Sequence, residues 1–90
     1  MGKEKIKTVS ESTDIREGKH SLILLNDDVH TFEYVIRALM EVCSHDAVQA
    51  EQCTLIAHFK GQCEVSTGGM EKLRLQRRSL SERELKTFIK

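Results

Sequence analysis

Proline and tryptophan are missing from this chain, tyrosine occurs once, and there are only five glycines. A disordered segment is richer in proline and poorer in apolar residues than this one, of which 39% is hydrophobic. Charge of one sign is also lacking, since fourteen Lys and Arg balance fourteen Asp and Glu. That balance argues against a general nucleic-acid binder, which carries a basic excess. No apolar run approaches the ~20 residues of a membrane span, and no apolar stretch near the start reads as a secretory signal. The three cysteines, Cys43, Cys53 and Cys63, are odd in number and ten apart. A small secreted domain is normally stapled by paired disulfides, so the expected compartment is reducing and cytoplasmic. Ninety residues leave room for one small domain and one shallow site.

Residues 1–19 alternate Lys, Glu, Ser, Thr and Asp without a period of two or 3.6, which predicts a flexible N-terminal extension. A folded domain is expected over 20–90. Ser21 to Asn26, SLILLN, reads as a buried strand. Phe32, Val35, Ile36, Leu39, Met40 and Cys43 recur at helical steps, with Thr31 placed to cap the start. Asp46 and Gln49 have capping-box spacing, and a second helix is expected to run to Lys60, with Val48, Gln52, Leu55, Ile56 and Phe59 along one side. Gly61 stands where a left-handed residue closes a helix. Gln62 to Thr67 alternates as a strand with Cys63 and Val65 on one face. Gly68 and Gly69 break it, a weaker helix follows over Met70 to Leu80, and Leu85 to Ile89 reads as a last strand. The order β-α-α-β-α-β predicts an α+β sandwich of a three-stranded antiparallel sheet and three helices.

Asn26, Asp27 and Asp28 place an amide and two carboxylates at the end of a strand. Ionised carboxylates only accept hydrogen bonds, so this corner suits a cation with several donors, such as an ammonium group; a polar turn is the plainer account. His58 lies near the end of the second helix, where a half-buried packing role competes with a role in binding. Zinc sites show close ligand pairs, and none of the four histidines or three cysteines has that spacing, so no metal is expected. No GxSxG elbow or phosphate-binding glycine loop is present, and no enzyme is expected. Lys72, Arg74, Arg77 and Arg78 read as a solvated helix face that could serve to dock a protein partner.

Ser21 to Gly61 resembles ClpS, the adaptor of the ATP-dependent Clp protease. The resemblance is carried by the strand before Asn26-Asp27-Asp28, by Phe32-Glu33-Tyr34-Val35-Ile36, and by Ala57-His58-Phe59-Lys60-Gly61. It implies a non-catalytic adaptor, without cofactor, that binds the free first residue of N-degron substrates, large apolar or aromatic, and delivers them to a Clp AAA+ unfoldase of ClpA or ClpC type. By the resemblance, Asn26, Asp28 and His58 hold the substrate α-amino group, with Asp27 beside them. The side-chain pocket falls on His30, Phe32, Val35, Thr54, Ala57 and Leu85. His30 stands where the family commonly has Thr, Phe32 and Thr54 where it has Met, and Ala57 where it has Val. The altered pocket leaves an alternative, a same-fold docking protein that modulates the unfoldase without N-degron recognition. A monomer is expected, with no membrane or nucleic acid among its partners.

Overall fold

A computed structural model describes residues 19–90. The expected extension therefore lies outside the described residues, apart from Lys19. Six elements follow: β1 (His20–Leu25), α1 (Phe32–Cys43), α2 (Ala47–Lys60), β2 (Gln62–Gly68), α3 (Met70–Glu82) and β3 (Thr87–Ile89). The sheet order is β2-β1-β3, and β1 runs antiparallel to both neighbours. This is the α+β architecture that the hydrophobic pattern predicts.

β1 occupies the centre because its apolar run has no solvated face to offer. Leu22 and Leu24 are at most 1% exposed and point into a core shared with Val35 and Leu39 of α1, Ala50 and Ala57 of α2, and Leu73 and Leu80 of α3. Ile23, on the opposite face, is also buried, between its cross-strand partners Phe88 and Glu64. The β1–β2 register slips between Leu22 and Ile23, and Val65 is the extra residue of that bulge, buried at 4% exposure.

The helix boundaries follow the caps. The Thr31 hydroxyl accepts from the Tyr34 amide at 3.1 Å, and the Asp46 carboxylate accepts from the Gln49 amide at 2.7 Å. Gly61 closes α2 at φ 95° with its N–H on the Ala57 carbonyl. A β-carbon there meets no neighbour, so the glycine is needed for its backbone conformation alone.

Three expectations need correction. The buried side of α2 is not the one carrying the large apolar residues. Val48, Ile56 and Phe59 are 63%, 42% and 76% exposed, and Gln52 is exposed as well. Ala50, Cys53, Thr54 and Ala57 face inward instead. Small side chains let a helix axis approach its neighbours closely, and this spacing of small residues is as helical as that of the large ones. On α1, Val35, Ala38 and Leu39 are buried, whereas Phe32 and Met40 of the expected stripe are about 40% exposed. Finally, Leu85 is not in a strand. It is buried in the turn before β3, its N–H bonded to the Leu80 carbonyl at 3.0 Å.

Candidate functional site

β1 delivers its last residues to a corner fixed from both sides. The Leu25 N–H donates to the Lys86 carbonyl, and the Asn26 N–H to the Gly61 carbonyl, each at 3.0 Å. The first bond ties the corner to the segment entering β3, the second to the turn that ends α2. His58 stands three residues before Gly61 on the last turn of α2, so the second bond also fixes the distance between the corner and His58.

Within the corner, the Asn26 side-chain nitrogen donates to Asp28 Oδ1 at 3.3 Å, which leaves the Asn26 amide oxygen free to accept. Asp27 is the organising residue. Its Oδ1 accepts from the amides of Val29, at 2.7 Å, and His30, at 3.2 Å, and its other oxygen pairs with His30 Nδ1. Burial works to raise the Asp27 pKa, but the Val29 amide, the His30 ring and the His30 amide together hold the carboxyl below its usual value. The His30 ring in turn lies flat on Tyr34, with centroids 4.5 Å apart and planes 12° from parallel. The Tyr34 hydroxyl donates to the Arg83 carbonyl at 3.0 Å, anchoring this stack to the turn after α3.

Two cavities adjoin the corner. One is apolar and tight, with room for about 10 Å³, and is lined by Leu24, Leu25, Phe32, Val35, Thr54 and Ala57, with Asn26, Asp27, His30 and His58 completing it. The Phe32 ring meets His58 edge to face at a centroid distance of 5.2 Å, and His58 meets Phe59 at 4.9 Å. The Thr54 hydroxyl is spent on the Ala50 carbonyl at 2.8 Å, so this wall offers no free donor to the cavity. The second cavity is a polar notch of about 250 Å³ lined by Asn26, Asp27, Asp28, Val29, His30, Glu84 and Lys86.

Nine of the ten residues singled out from the sequence thus border one or both cavities. Asp28 borders the notch alone, whereas Asp27 borders both. Leu85 is in neither lining: it is a core residue, 2% exposed. Leu24 and Leu25 were missed because a strand's last residues read as core. Tyr34, Glu84 and Lys86 were missed because their places depend on contacts between distant segments. Among the described residues, no group of three or more His, Cys, Asp or Glu is arranged to hold a metal ion. Cys43, Cys53 and Cys63 are free thiols, and burial first, then the neighbouring Cys53, pushes Cys43 up to about 11 and Cys63 up to about 12. No helix is long and apolar enough to cross a membrane among the described residues. The basic side chains Lys72, Arg74, Arg77 and Arg78 are all exposed.

Comparison with known proteins gives the family and the fold. Over 52 residues the chain is 40% identical to the ATP-dependent Clp protease adapter protein ClpS of Campylobacter jejuni, in strains 81-176 and RM1221. The aligned stretch covers 57% of this chain and 54% of each relative, so the chain spans about half the length of the curated relatives it matches. The fold is shared with the structure of Agrobacterium tumefaciens ClpS2 bound to L-phenylalaninamide, at a TM-score of 0.75 and 19% identity, covering 80% of this chain and 94% of that one. Residues 16–87 match the family described as ATP-dependent Clp protease adaptor protein ClpS, and the chain belongs to that family.

Proposed function

We propose that this chain is a non-catalytic adaptor that binds the free α-amino group and first side chain of N-degron proteins and delivers them to a Clp AAA+ unfoldase of ClpA or ClpC type. One observation carries the reading. Asn26, Asp27 and His58, each carrying a hydrogen-bond acceptor, border the same small apolar cavity. An α-ammonium has three N–H donors and a positive charge, and its first side chain leaves from the adjacent carbon. A cluster of acceptors at the mouth of an apolar cavity answers both requirements at once. The charge-assisted bonds are roughly twice as strong as neutral ones, which favours a free amine over an acetylated one.

Asp27 is the leading carboxylate in this reading, because it borders both cavities, while Asp28 fixes the Asn26 amide so that its oxygen is presented. Phe32, Val35, Thr54, Ala57 and His30 form the side-chain pocket together with Leu24 and Leu25. Phenylalaninamide, the molecule bound to the Agrobacterium protein, has a free amine and an apolar ring, the two features this reading requires of a ligand.

The docking alternative also has an observation behind it, for about 10 Å³ holds roughly one water and no large side chain. Peptides beginning with Leu or Phe, each paired with its N-acetylated twin, separate the two readings. Free-amine peptides should bind at least tenfold tighter. Equal binding of both forms, or none of either, overturns N-degron recognition and leaves docking without it.

A further inference from the structure

His30 borders both the apolar cavity and the polar notch and is locked in place by two independent contacts. Its Nδ1 pairs with Asp27 and one ring face is covered by Tyr34, so what remains to the cavities is the other face and the Nε2 edge. The tautomer follows from the partner. An ionised carboxylate only accepts, so the shared proton sits on Nδ1, and Nε2 of the neutral ring carries a lone pair.

We infer that His30 is a specificity-determining residue whose Nε2 accepts the backbone N–H of the substrate's second residue, so that the site reads a secondary amide after the first residue as well as a free amine. The inference rests on the α-amino reading above. Successive backbone nitrogens in an extended chain are about 3.3–3.6 Å apart. A peptide whose ammonium rests on Asp27 therefore brings its next N–H within one residue's length of that carboxylate, where the His30 ring stands. The acceptors Asn26, Asp27 and His58 satisfy the ammonium, and of the titratable side chains lining the apolar cavity His30 is the one left to take that N–H. Burying it without a partner weakens binding, whereas an imidazole lone pair at the partition between the cavities satisfies it. The substrate class is then N-degrons whose second residue is not proline.

The test uses the full chain, fluorescent Leu-Ala peptides with and without a methyl group on the second nitrogen, and the N-acetylated control. In the parent protein, N-methylation should weaken binding about 3- to 10-fold more than it does in His30→Phe, which keeps an aromatic ring for Tyr34 but has no acceptor. His30→Gln, which restores an oxygen acceptor, should recover part of the methylation penalty. Should His30→Phe fail to fold, His30→Leu takes its place. An equal methylation penalty in parent and variant overturns the role of His30. If that happens while the free amine is still preferred over the acetylated one, the α-amino reading stands. Loss of that preference in the parent overturns both.

Discussion

The backbone N–H of Asn26 meets the carbonyl of Gly61 at 3.0 Å, and this one bond joins the end of the central strand to the end of α2. Gly61 holds φ 95°, a conformation that costs an L-residue of order 1–2 kcal/mol. Since a β-carbon at Gly61 has open space around it, Gly61→Ala should act through the backbone only. It should lower stability by about 1 kcal/mol in chemical denaturation. Because the strain falls on the bond between Asn26 and the His58 turn, free-amine peptides should also bind several-fold more weakly in fluorescence anisotropy.

Asp27 makes a pH-dependent contribution with a definite sign. Its folded carboxyl is held below the ordinary value of 3.8, so the stabilisation is complete above that value and is lost as pH falls through the folded one. Asp27→Asn should be less stable than the parent at pH 6, and the two denaturation midpoints should converge in acid. An amide still accepts from the Val29 and His30 amides, so the fold should survive. Peptide binding should drop by tenfold or more, since the opposing charge is gone.

Phe32 limits the size of the apolar cavity. Its ring is 41% exposed, so Phe32→Ala should cost less than the 3–5 kcal/mol of a core phenylalanine. The cavity should enlarge beyond its 10 Å³, and affinity should shift from Leu-first toward Trp-first peptides. Unchanged selectivity between these peptides places the side chain elsewhere.

The cysteines should be sluggish. With burial holding Cys43 near 11 and Cys63 near 12, almost no thiolate exists at pH 8, and the thiolate is the nucleophile. Intact mass spectrometry should show slow alkylation of the folded protein by iodoacetamide and fast labelling of all three thiols in denaturant.

Leu39 tests the core at a distance from the site. It is fully buried, and Leu39→Ala should lose about 2–5 kcal/mol of stability. At a temperature where the variant is folded, its preference for free-amine peptides should match the parent's.

The sequence by itself determined the order of the elements and the chemistry of the corner. A run such as SLILLN reads as a buried strand, the caps at Thr31 and Asp46 fix where helices start, and Asn26-Asp27-Asp28 reads as an acceptor-rich turn. Tertiary structure alone decided which side of α2 faces inward. Two stripes share helical spacing there, one of Val48, Ile56 and Phe59 and one of Ala50, Cys53, Thr54 and Ala57, and burial of the larger residues is the better guess from hydrophobicity alone. Close packing reversed it, because only the small residues allow α2 to approach the core, and that rotation brings Thr54 and Ala57 to the pocket. It likewise decided that Leu85 is core and that Tyr34 is tied to the Arg83 carbonyl, since both depend on contacts between elements and no local spacing records them.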